Sequence, residues 1–81
     1  MGNKRYRYHD WWLVYPEDMQ IFADQESLLI TSIYTRKVLG QVSYSCQEQG
    51  LKVLCPAFDL GFSLKNKELH FFFSGYALQF S

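Results

Sequence analysis

A few groups of residues in this chain could do chemistry. His9-Asp10 and, separately, Glu68 with His70 offer acid–base couples, and Cys46 and Cys55 offer thiols. The stretch Lys4-Arg5-Tyr6-Arg7-Tyr8-His9-Asp10-Trp11-Trp12 interleaves cations with aromatic rings. A histidine serves as a base when a carboxylate orients it and a nucleophile or substrate lies within reach. His9 and Asp10 are sequence neighbours, and neighbours on a strand point to opposite faces. Glu68 and His70 share a strand face, but no partnered nucleophile accompanies them, so solvated polar side chains are the plainer reading. A glycine-rich phosphate loop, a nucleophile elbow, paired histidine ligands and a calcium loop are all missing from the sequence. The expectation is a protein that is not an enzyme and uses no cofactor or metal.

The cysteines are too few for a disulfide scaffold and lack the spacing of a zinc knuckle. That pattern fits a reduced, cytoplasmic protein. A turn at Gln49-Gly50 would set Cys46 across from Val53 and Tyr44 across from Cys55. The thiols would then lie on a diagonal, with their Cα atoms roughly 7 Å apart, at the outer limit for a disulfide. Free thiols packed as small apolar groups follow from that geometry.

The basic–aromatic stretch carries the strongest signal. Alternation sets Arg5, Arg7 and His9 on one face and Tyr6 and Tyr8 on the other. Tyr, Trp and Arg dominate protein-interface hot spots because they bury much area at low entropic cost and still hydrogen-bond. Single-stranded nucleic-acid grooves use the same residues, stacking bases on rings while cations follow the backbone. A purely structural reading is an edge strand whose charges discourage aggregation. The candidate partner-binding residues are Arg5, Tyr6, Arg7, Tyr8, Trp11 and Trp12. Phe72 joins them because alternation points it away from the core face, beside Glu68 and His70.

Charge weighs between the partners. Lys+Arg 8 balances Asp+Glu 8, whereas phosphate binders are markedly basic. A neutral surface also gives little colloidal protection, which favours a partnered or self-associating chain. The leading expectation is a non-enzymatic protein-binding module, acting as an adaptor, small inhibitor or subunit. The alternative is a single-stranded nucleic-acid-binding small β-barrel, with Lys65 and Lys67 extending the basic stretch.

The elements that must hold these residues come from a chain of 81 residues, read as one small domain over 1–81. Such a chain is at the lower edge of what one core can stabilise. Seven Phe, six Tyr and two Trp are more rings than so small a domain buries completely, which leaves some for the surface. No apolar run approaches the roughly 18 residues of a membrane span. The basic segment Met1–Tyr6 has no apolar region behind it, unlike a signal peptide, and Tyr6 stands where N-myristoylation needs Ser or Thr.

The second half reads as an antiparallel meander. Val42, Tyr44 and Cys46 alternate with polar residues, and Pro56 ends the following strand. An Asn66-Lys67 turn pairs Lys65 with Glu68, Leu64 with Leu69 and Phe62 with Phe71. A Ser74-Gly75 turn pairs Phe73 with Tyr76, Phe71 with Leu78 and Leu69 with Phe80. Both turns place Leu60, Phe62, Leu64, Leu69, Phe71, Phe73, Tyr76, Leu78 and Phe80 on one face, so the register is well specified. In the first half, Lys4–Tyr15 is extended, and Pro16-Glu17-Asp18 suits a turn or a helix start. A short helical turn is expected near 17–23 and a strand near 28–35, where β-branched residues crowd. The fold class is mainly β: a small antiparallel meander or partial barrel with at most one short helix. The alternative is α+β, with a helix over 25–39 packed on the meander.

Overall fold

The computed structural model describes residues 2–24, 26–56 and 60–73. Over these the chain is mainly β, and no helix is present among the described residues. The strands are β1 (Asn3–Tyr8), β2 (Trp11–Pro16), β3 (Met19–Ala23), β4 (Ser27–Ser32), β5 (Val38–Ser45), β6 (Gly50–Leu54), β7 (Leu60–Lys65) and β8 (Glu68–Phe73). They form two four-stranded sheets, ordered β1-β2-β8-β7 and β3-β4-β5-β6. The chain divides accordingly into two compact units, Met1–Glu17 with Phe58–Ser81, and Asp18–Ala57.

The first sheet joins two hairpins. β1 and β2 pair antiparallel from Asn3↔Pro16 to Tyr8↔Trp11, so His9 and Asp10 form a two-residue turn with His9 at a φ of 56°. The segment expected as one extended run is therefore folded back on itself. β7 and β8 pair in the expected register, with Lys65↔Glu68, Leu64↔Leu69 and Phe62↔Phe71. Asn66 and Lys67 adopt φ of 52° and 64°. Positive φ at both central residues is the type I′ pattern, whose twist matches that of the flanking strands.

The hairpins meet along a parallel β2–β8 pair, Trp12↔Glu68, Leu13↔Leu69 and Val14↔His70. The Trp12 amide also donates to the Lys67 carbonyl at 2.8 Å. Leu13, Leu69 and Phe71 are buried on one face of this sheet. Leu60 on β7 is buried as well, but Phe62 and Leu64 are exposed because β7 stands at the end of the strand order. The expected pairings of Tyr76, Leu78 and Phe80 lie outside the described residues. Over Glu68–His70, the side of β8 away from β7 carries β2.

The second sheet is an antiparallel meander built around Met19, Leu28, Ile30, Leu39 and Val42, all buried. The helical turn expected near 17–23 is instead a turn at Glu17-Asp18 followed by β3, paired with β4 from Met19↔Ser32 to Ala23↔Leu28. Local signals for a helix start lost to pairing with a neighbouring β-branched strand. The helix considered for 25–39 is likewise replaced, by β4, a turn and the start of β5. Ser32 supplies part of the reason. Its hydroxyl oxygen accepts the amides of Tyr34 at 3.1 Å and Thr35 at 3.3 Å, satisfying backbone donors in a turn rather than a helix.

The β5–β6 hairpin forms, but in a different register from the one expected. Cys46–Gln49 make the turn, with Gln49 at a φ of 53°, and Tyr44 pairs with Leu51 and Val42 with Val53. The Ser45 hydroxyl accepts the Glu48 amide at 3.3 Å, and Glu48 pairs with Lys52 across the turn. Each residue of β5 meets a partner four positions earlier than expected. An even displacement leaves every side chain on its predicted face, so hydrophobic alternation could not discriminate between the registers.

The buried row of β8 gives a direct test of the first sheet. Phe71→Ala should cost about 3–5 kcal/mol, while Ser63→Ala on exposed β7 should be near neutral. Denaturant unfolding checks both, and an unchanged midpoint for Phe71→Ala would contradict the register.

Candidate functional site

The sequence-selected residues divide between the faces of the first sheet. Arg5 and Arg7 alternate on β1, and the pairings Arg7↔Trp12 and Trp12↔Glu68, with Arg5↔Val14 and Val14↔His70, carry that face across three strands. Phe72 lies on the same face, next in alternation after His70. Tyr6, Tyr8 and Trp11 belong to the opposite face, with Leu13 and Tyr15. Burial, followed by the neighbouring Tyr6, pushes the Tyr15 phenol up from its ordinary value. The structure thus gathers Arg5, Arg7, Trp12 and Phe72 and separates them from Tyr6, Tyr8 and Trp11.

Trp12 is the centre of the gathered set. The Arg5 guanidinium carbon lies 4.6 Å from its ring centroid and that of Arg7 lies 5.0 Å away. Alternate residues on β1 can both reach a ring on β2 because the cross-strand partner and its diagonal neighbour are each within side-chain length. Each such contact contributes about 0.5–1 kcal/mol at an exposed site, enough to restrict the guanidinium planes. Arg7 is held further by donation from Nε to the His9 carbonyl at 3.0 Å. His9 itself is in the turn and does not extend the Arg5–Arg7 row as expected.

Glu68 and His70 complete the face, and sequence reasoning had set them aside as solvated polar residues. The Arg5 Nη2 donates to Glu68 Oε2 at 3.2 Å, and His70 Nε2 lies 2.9 Å from Glu68 Oε1. An ionised carboxylate only accepts, so this contact places the ring proton on Nε2. The His70 hydrogen bond holds the Glu68 carboxyl below the usual range against the opposing effect of desolvation, and the Arg5 charge adds a smaller lowering. The signal for the Glu68–His70 contact was present as i, i+2 spacing on a strand. The link to Arg5, 63 residues away in sequence, was not.

Phe72 is 43% exposed, and its ring lies over Gly61, its cross-strand partner. A Cβ at Gly61 would come within 2.8 Å of the Phe72 ring. The glycine therefore makes room for the aromatic, a pairing that protects backbone which glycine leaves bare. On the opposite face, the Lys67 ammonium lies 5.1 Å from the Trp11 centroid.

The thiols belong to the second unit. Cys46 is exposed in the β5–β6 turn, while Cys55 is half-buried just beyond β6, and burial pushes its thiol up. Both are free. The expected diagonal between them is not formed, because Cys46 sits outside the strand ladder. Among the described residues, no three His, Cys, Asp or Glu side chains gather as metal ligands would. No helix among those residues is long and apolar enough to cross a membrane. Comparison with protein-family models, with curated proteins and with solved structures finds no match.

Two measurements test this geometry. Because the folded Glu68 carboxyl titrates below its unfolded value, its contribution to stability is present above the unfolded value and lost as pH falls through the folded one. An NMR titration should find a depressed Glu68 midpoint that rises in His70→Ala and rises less in Arg5→Ala. An ordinary midpoint in the parent chain would show that the network does not form. Separately, iodoacetamide under native conditions should label Cys46 well before Cys55, since exposure and thiolate fraction govern reactivity. Equal rates would contradict the two environments.

Proposed function

We propose that this chain is a non-catalytic protein-binding module that engages another protein, or a second copy of itself, through the Arg5–Arg7–Trp12–Phe72 face. The observation that carries the reading is the pair of guanidinium groups stacked on Trp12. Restricting these side chains before binding reduces the entropy lost on association, which is what distinguishes an anchor from an ordinary surface arginine. Phe72 adds exposed apolar area, and Glu68 with His70 adds hydrogen-bonding groups, the composition of an interface with an aromatic–arginine centre and a polar rim. Two free thiols support placing the protein in a reducing cytoplasm, as an adaptor, small inhibitor or subunit.

Single-stranded nucleic acid fits the same face less well. Trp12 already contacts two cations, so a base could stack on it only by competing with them. Glu68 also lies in the middle of the face, where it repels phosphate.

Affinity capture from the native host tests the proposal when the parent chain, Trp12→Ala and Tyr8→Ala are compared with and without nuclease. Trp12→Ala should weaken the complex by about 2 kcal/mol or more, and Tyr8→Ala, on the opposite face, should retain it. Arg5→Ala should act less strongly and chiefly at low salt. Capture that nuclease abolishes would overturn the reading. So would micromolar binding of single-stranded RNA or DNA with a steep salt slope that Arg5→Ala and Arg7→Ala each reduce by roughly one counterion.

A further inference from the structure

The second unit carries a separate hollow of about 460 Å³, lined by Gln20 and Phe22 of β3, Thr31 and Ser32 of β4, and Ile33 and Arg36 of the turn that follows. Its volume falls within the range of small-molecule sites, roughly 300–1,000 Å³. The lining divides by chemistry. Phe22 and Ile33 are 51% and 42% exposed, leaving apolar surface in water. Among the described residues, Arg36 is the one charged residue of the lining, and its guanidinium has no carboxylate partner there.

The backbone at Arg36 strengthens the case. Arg36 sits at a φ of 61°, in the left-handed region where glycine fits without strain and a residue with a Cβ does not. The conformation is imposed by its surroundings. The Arg36 amide donates to the Ser32 carbonyl at 2.8 Å, and the Ser32 amide donates to the Lys37 carbonyl at 3.1 Å. Ser32 is also the residue whose hydroxyl accepts the Tyr34 and Thr35 amides. One buried serine thus organises the whole turn and holds Arg36 at the edge of the hollow. Strain kept at a cationic residue beside a cavity points to a use for its side chain.

We propose that this hollow binds a small organic carboxylate bearing an apolar group. Arg36 pairs with the carboxylate, for which the guanidinium fork offers parallel donors. Phe22 and Ile33 cover the apolar portion. The Gln20 amide adds a donor, while the Thr31 hydroxyl is directed to the Gln20 carbonyl at 3.5 Å. No covalent step is involved, and the proposal does not rest on the function proposed for the Trp12 face.

Sodium hexanoate is a suitable probe, with acetate and 1-hexanol as the charge-only and apolar-only controls, followed through amide NMR shifts. Hexanoate should give saturable shifts at Phe22, Thr31, Ser32 and Ile33, and each control should bind about tenfold more weakly or worse. Arg36→Gly should weaken hexanoate by about tenfold or more without lowering the melting temperature, because glycine adopts the same φ freely. Arg36→Gln, which retains the strained backbone and removes the charge, should lose hexanoate to the same extent. Equal hexanoate affinity in the parent chain and either variant would overturn the proposal. So would shifts in the parent chain that fail to saturate or that scatter away from the hollow.

Discussion

The parallel contact between β2 and β8 is the constraint on which the candidate face depends. Each hairpin of the first sheet can be specified locally, by a two-residue turn and alternating side chains. Neither hairpin alone places Arg5 near Glu68. Residues 12–14 and 68–70 are brought together only by the pairs Trp12↔Glu68, Leu13↔Leu69 and Val14↔His70. Leu13 and Leu69 are fully buried at that seam, so the apolar pair drives the contact while the polar residues ride on its other face. The donation from Trp12 to the Lys67 carbonyl then ties the start of β2 to the β7–β8 turn. Parallel pairing between distant segments costs loop-closure entropy that neither local hairpin incurs.

The polar face contributes organisation more than stability. Arg5, Glu68 and His70 are all substantially exposed, and exposed ion pairs are screened by water and salt. Their effect is to fix direction. Arg5 is shared between Trp12 and Glu68, Arg7 between Trp12 and the His9 carbonyl, and His70 is turned by Glu68. Ordered side chains in a solvated place are what a binding surface requires, since they leave less freedom to lose on contact.

The two units solve different backbone problems with non-glycine residues. In the first, Asn66 and Lys67 accept positive φ to give the tight turn that the β7–β8 twist demands. In the second, Arg36 does so within a turn organised by Ser32. The Asn66-Lys67 turn is explained by the strands it joins. The Arg36 conformation also positions a cation beside a hollow, which is why the two positions support different conclusions.

The mainly β character, the β7–β8 register and the inward row of Leu69 and Phe71 were all determined by sequence alone, because period-2 alternation and turn length leave a tight hairpin one self-consistent pairing. The same reasoning recovered the faces of β5 and β6 but not their register, since alternation does not distinguish even displacements. It missed the β1–β2 turn at His9-Asp10, where no glycine marks the reversal. It also read β3 as helical, because strand pairing with β4 outweighed the local preferences of Pro16, Glu17 and Asp18. Arg5, Arg7, Trp12 and Phe72 were legible only as candidates by type, and Tyr6, Tyr8 and Trp11 were indistinguishable from them. Only the tertiary structure separated the two groups and added Glu68 and His70. Side-chain type is a property of the chain, whereas a shared face across three strands exists only once β2 and β8 have met.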